Sequence, residues 1–292
     1  MTNKIDPKTK IGYVHLTISD FGVSLPFYQE VLGFQVHRQD GDTAYLGAGH
    51  EDLVVLTENP QARPPARATG LYHFAILVPS RRELAHSLRQ LAETRAPVQG
   101  FSDHGVSEAL YLADPDGNGI EVYRDRPQTD WYDARGRFRM GTDPLDVRGV
   151  LSELEQDGGI WKGLHPDTLI GHMHLQVAQV QSAEAFYREV LGMDVMINMR
   201  TASFMSAGGY HHHIGMNVWN SACAPPPPPD SIGLRYFTVQ LSDAQAVGRI
   251  ADNVHNAGLK VQETEQGLLV HDPSRNGIVL TTVPERQNIQ SR

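Results

Sequence analysis

His104, Tyr111 and Glu121 fall within one short stretch, SDHGVSEALYLADPDGNGIEVY, from Ser102 to Tyr123. An imidazole, a phenol and a carboxylate are groups that can hold a metal ion and orient an oxygen-bearing ligand beside it. EALYLA reads as a strand, the turn formers Asp114, Pro115, Asp116, Gly117, Asn118 and Gly119 reverse the chain, and IEVY is the returning strand. Glu121 then stands among apolar residues. A carboxylate there is costly to bury unless a cation or hydrogen bonds meet it, which makes it a candidate ligand.

A second cluster is GGYHHHIGMNVW, from Gly208 to Trp219. Read as a strand, its three consecutive histidines alternate, so His212 points away from His211 and His213. Its internal position rules out a purification tag.

The elements that must position these groups emerge from a repeat. IGYVHLTISDFGVSLPFYQEVLGF and IGHMHLQVAQVQSAEAFYREVLGM match at equal offsets through Gly12 and Gly171, His15 and His174, Tyr28 and Tyr187, and Gly33 and Gly192. In each copy an alternating strand leads into a helical pattern that stops at Gly33 or Gly192. GLYHFAILVPSRREL likewise matches GLRYFTVQLSDAQAV, and DPDGNGIEV matches DPSRNGIVL. The chain is therefore expected to hold four β-α-β-β-β units, 10–57 and 70–123 in a first half and 169–219 and 232–283 in a second. Residues 124–168 form a connector on the surface, with DPLDVRGVLSELEQ as a short amphipathic helix. The proline run from Ala224 to Asp230 is a stiff spacer, and 285–292 is a polar tail.

Length and composition set bounds. The 292 residues suit two domains, and 40% hydrophobic with 20% charged residues suits a globular chain with a core. A net charge of −9 without a basic run argues against nucleic acid and against an anionic membrane surface. The single Cys223 excludes an internal disulfide, so a reducing cytoplasm is the expected location. The first residues, MTNKIDPKTK, contain no apolar signal segment, and no run long enough to span a membrane follows.

The motif His104, Leu110-Tyr111, Asp114-Pro115-Asp116-Gly117, Glu121 resembles that of the extradiol ring-cleavage dioxygenases of the vicinal oxygen chelate superfamily. The four repeated units resemble the paired modules of that fold, an α+β architecture of two half-barrel cups. In the superfamily a metal ligand commonly stands early on a module's first strand and a carboxylate on its last. Those positions hold Tyr13, His73, His172 and Tyr236 on the first strands, and Glu121 and Val279 on the last strands of the second and fourth units. The resemblance thus implies an Fe(II) site of His73, Glu121 and His172, which requires the second and third units to share a cup. The rival is a cup of the first and second units, in which His15 replaces His172.

The resemblance further implies that His212 serves as acid and base, that His104 and Tyr111 orient the substrate, and that an aromatic vicinal diol and O2 are the reactants. His174 would be a pocket wall. A homo-oligomer is expected for the fold. Two other functions share it. A glyoxalase-like isomerase or lyase wants a second carboxylate ligand, which EDLVVLTENP and YHHHIGMNVW do not place at the inward position; a metal-free binding protein leaves the triad unexplained. Metal content separates the three.

Overall fold

A computed structural model describes residues 4–155 and 161–283; the expected polar tail lies outside them. In the first unit β1 (Lys10–Ile18) leads into α1 (Phe21–Pro26) and strands β2 (Gln35–Asp40), β3 (Thr43–Gly47) and β4 (Asp52–Glu58). The second has β5 (Gly70–Leu77), α2 (Arg81–Glu93), β6 (Val98–Asp103), β7 (Ser107–Ala113) and β8 (Gly119–Asp125). A helix α3 (Val147–Ser152) marks the connector. The third unit comprises β9 (Leu169–Gln176), α4 (Val180–Ala185), β10 (Asp194–Asn198), β11 (Ala202–Ser206) and β12 (Ile214–Asn217). The fourth comprises β13 (Gly233–Leu241), α5 (Ala244–Asn256), β14 (Gln262–Thr264), β15 (Gly267–His271) and β16 (Gly277–Thr282). Each unit is β-α-β-β-β.

The units pair crosswise. One eight-stranded sheet runs β14-β15-β16-β13-β1-β4-β3-β2 and joins the fourth unit to the first; the other runs β10-β11-β12-β9-β5-β8-β7-β6 and joins the third to the second. The seams are antiparallel, with His15 opposite Tyr236 on β1 and β13 and His73 opposite His174 on β5 and β9.

Period-2 alternation on these four seam strands explains both the core and the cups. Val14, Leu16, Phe74, Ile76, Met173, Leu175, Phe237 and Val239 belong to one continuous buried core, to which both sheets contribute. The intervening residues, Tyr13, His15, His73, His172, His174 and Tyr236, take the opposite faces. A sheet that hides one face in a shared core leaves the other free to line a cavity.

In both first-type units the helix widens at its C-terminal end into a π turn, Phe27–Val31 and Phe186–Val190. Because Ala185 stands where Pro26 stands in the other copy, the proline is not its cause. At that turn the Tyr28 hydroxyl donates to Asp114 (3.0 Å) and Tyr187 to Asp272 (3.3 Å). Asp114 in turn accepts from the amides of Asp116 and Asn118, and this braces the turn that delivers β8.

The connector is more than surface packing. Trp131 is buried, with its Nε1 donating to the Arg126 carbonyl, and its ring lies 5.2 Å from that of His211. Among the described residues, six of the expected connector helix, Val147–Ser152, are helical.

Candidate metal centre

His73 on β5, Glu121 on β8 and His172 on β9 come from three adjacent strands of one sheet. His73 Nε2 lies 3.0 Å from Glu121 Oε2, His172 Nε2 lies 3.2 Å from the same oxygen, and the two nitrogens are 3.4 Å apart. Three ligands at about 2.1 Å and right angles around one ion would stand about 3.0 Å apart, so the triangle has the size of one face of an octahedral site. Among the described residues this is the one group of three His, Cys, Asp or Glu ligand atoms that close together.

The electrostatics also call for a cation. Burial drives the His172 pKa down to about 4, against the pull of Glu121. For Glu121, burial would raise the pKa, but His172 and then His73 outweigh it and hold the carboxyl well below its usual range. The site therefore presents a buried carboxylate within hydrogen-bond reach of both His73 and His172. The second His172 nitrogen, Nδ1, is buried without a partner among the described residues. Packing against Tyr123 (4.9 Å) and His212 (4.1 Å) orients the ring instead. Gly171 makes this possible, because a Cβ there would lie 1.8 Å from the Tyr123 hydroxyl.

Tyr111 is directly opposite Glu121 in the β7–β8 ladder and faces the same cup. His104 Nδ1 lies 2.7 Å from the Gly141 carbonyl, to which it can only donate, and so its Nε2 accepts the Tyr111 hydroxyl hydrogen at 2.6 Å. Burial, reinforced by Glu121, raises the Tyr111 pKa well above that of a free phenol.

The three histidines do not alternate on a strand as expected. β12 begins at Ile214, and His211 to His213 lie in the bend before it. Gly208 and Gly209, both at positive φ, turn the chain there. His211 and His212 consequently meet, Nδ1 to Nδ1, at 2.8 Å. His211 Nε2 lies 2.8 Å from Asp125 Oδ1 and donates to it. The neutral form of His211 then presents a bare Nδ1, which accepts from His212 Nδ1 and leaves His212 Nε2 without a proton. Burial, together with His172, pushes the His212 pKa well below 6.5. His213 turns elsewhere, its Nδ1 accepting from the Ala207 amide.

His15 does not reach this centre. It lies on the other sheet, where its Nε2 shares a hydrogen bond with Thr57 Oγ1 at 2.8 Å. His174 lines the cup, 4.9 Å from the His73 ring, and its Nε2 accepts from Asn217. Sequence reasoning missed Asp125, Tyr123 and Tyr210, whose hydroxyls are 2.7 Å apart, with Tyr210 donating to Asp125. Glu121, Tyr123 and Asp125 are alternate residues of β8, so period-2 counting from Glu121 would have found two of them.

Known proteins share these features. A family model described as the Glyoxalase/Bleomycin resistance protein/Dioxygenase superfamily matches residues 10–122 and 169–277. A Bacillus subtilis (strain 168) protein named catechol-2,3-dioxygenase is 46% identical over 275 residues, 92% of this chain and 95% of that one. The crystal structure of a candidate dioxygenase from Bacillus subtilis subsp. subtilis str. 168 superposes with a TM-score of 0.67 at 12% identity, over 96% of this chain and 87% of that one. Glyoxalase I from Zea mays gives 0.58 at 16%, over 94% and 92%. At such identities the structures speak for the fold alone. The match to the family model over both halves, together with the extent of the Bacillus similarity, places the chain in the Glyoxalase/Bleomycin resistance protein/Dioxygenase superfamily.

Proposed function

We propose that the protein is an Fe(II)-dependent extradiol dioxygenase that opens the ring of a catechol-type vicinal diol with O2. The observation that carries this reading is the convergence of His73, Glu121 and His172 on one point, with the His212 ring 4.1 Å from that of His172. The Bacillus relative named catechol-2,3-dioxygenase supports it. Bound by the three ligands, a ferrous ion would supply the positive charge that favours a chelating diolate and the redox path to O2.

The protein's own groups have separate tasks. Tyr111, its hydrogen committed to His104, offers lone pairs to a substrate hydroxyl and so fixes the ring's orientation. His212 Nε2 takes a proton from substrate and returns it later; the Asp125–His211 pair keeps that nitrogen bare beforehand. His73, Glu121, His172 and His212 are all buried, which keeps bulk water from the reacting atoms. A glyoxalase-like reaction is less well served, since the ligand group has one carboxylate. A homo-oligomer working in the reducing cytoplasm completes the reading; among the described residues no helix is long and apolar enough to cross a membrane.

The test is anaerobic reconstitution with Fe(II), followed by O2 uptake and the absorbance of a yellow ring-opened product over a panel of catechols. Full iron occupancy without oxidation of any catechol would refute the proposal.

A further inference from the structure

The cup shared by the first and fourth units holds a cavity of about 430 Å³, within the range of small-molecule sites. At the places corresponding to His172, His73 and Glu121 it has Tyr13, Tyr236 and Val279. With no carboxylate there it has no counterpart of the metal triad. What remains is a ring-lined recess bordered by the charged side chains of Arg38, Arg235, Asp42 and Asp52.

We propose that this cup is a second binding site, for a monocyclic aromatic carboxylate. The Tyr13, Tyr45, Tyr236 and His15 side chains line it, with Val55 beside them. Tyr236 meets Tyr13 edge-on at 6.0 Å and His15 at 4.9 Å, an arrangement that offers flat walls to a ring.

The Tyr13 and Tyr236 hydroxyls are 3.2 Å apart. One hydrogen serves the contact between them, and the second O–H is left for a ligand acceptor. Arg235, exposed and lining the same cavity, has no ion pair among the described residues. The other charges are engaged. Arg38 stacks on Tyr45 at 3.4 Å and donates to Asp52 at 2.9 Å. Asp52 also receives His37. Asp42 accepts from Thr43, which bonds Thr57, which bonds His15. Among the spare groups the Arg235 guanidinium and the phenol O–H are both donors, and a carboxylate satisfies both; the Gln266 amide and His15 Nδ1, which also line the cavity, can add further hydrogen bonds.

The inference is independent of the catalytic reading, because it concerns the other sheet. It is tested by isothermal titration calorimetry of benzoate into the full-length, metal-free protein, alongside Arg235→Met, His73→Ala and a benzamide titration. Saturable binding with a Kd below about 1 mM is expected. Arg235→Met should weaken it at least about tenfold, as loss of a charge-assisted hydrogen bond does. Benzamide should bind wild type correspondingly more weakly, and His73→Ala should bind benzoate as wild type does. Absence of saturation in that range overturns the proposal. So does loss of binding in His73→Ala, which would put the ligand in the metal cup. Unchanged benzoate affinity in Arg235→Met, or equal affinity for benzamide, would overturn the carboxylate assignment.

Discussion

The two cups can be told apart by removing one histidine from each. His172→Ala takes away one of only three ligand atoms in the metal group, whereas His15→Ala removes a ring on the other sheet. With Fe(II) at a hundred times its Kd, metal binding stabilises the wild-type chain by about 2.7 kcal/mol. At about 2–4 °C per kcal/mol, that is a rise in Tm of about 5–10 °C. Changing a residue that merely supports a ligand typically costs about 10–100-fold in metal affinity, so deleting a ligand should cost at least about 100-fold. The same metal concentration then only equals the Kd of His172→Ala, the stabilisation falls to about 0.4 kcal/mol, and the rise shrinks to about 1 °C. His15→Ala should keep the full rise. Anaerobic differential scanning with and without Fe(II), read as a metal-induced difference, cancels the cost of the cavity left in each variant. Bound iron measured on the same samples gives an independent readout. A full rise with retained iron in His172→Ala, or a loss confined to His15→Ala, would refute the assignment of the centre to the second and third units.

His211→Leu should leave iron content unchanged but lower turnover by about 10- to 100-fold, less than the 10²–10⁴-fold of an entire acid–base contribution, because it frees the His212 tautomer without removing the base; steady-state rates with iron analysis check this. The metal-free protein should be acid-labile. Burial depresses the pKa values of His15 and His213 to about 3 and of His172 to about 4, and lowers those of His174 and His212 well below 6.5. A histidine whose folded pKa is depressed lends stability above its unfolded pKa, and that stability is lost as pH falls below about 6.5 toward the folded value. Each such group contributes at most about 1.4 kcal/mol per pH unit, so denaturant midpoints should drop steeply between about pH 6.5 and 4. A flat profile across that window would contradict the buried, neutral state of these rings.

The duplication, the four β-α-β-β-β units and the Asp114 turn were legible in the amino-acid sequence because they rest on local rules. Alternation, helical spacing and turn chemistry act over a few residues and leave their mark in the order of residue types. Glu121 was legible for a related reason: a carboxylate on an apolar strand signals an unmet electrostatic cost. Which units share a cup was legible only through the ligand positions and the resemblance, which favoured His172 over His15 and agree with the observed sheet, since both are histidines on first strands and no local pattern pairs the units. Only the pairing of β5 with β9, at a separation local patterns do not encode, brings His172 to Glu121. The three-histidine run shows the same limit from the other side. Alternation presumes a strand, and Gly208 and Gly209 bend the chain there, so His211 meets both His212 and Asp125. Trp131 on His211 likewise belongs to long-range packing. Sequence order determined the groups each strand could offer, whereas the tertiary structure decided which of them meet, because seam pairing and core burial depend on residues far apart in the chain.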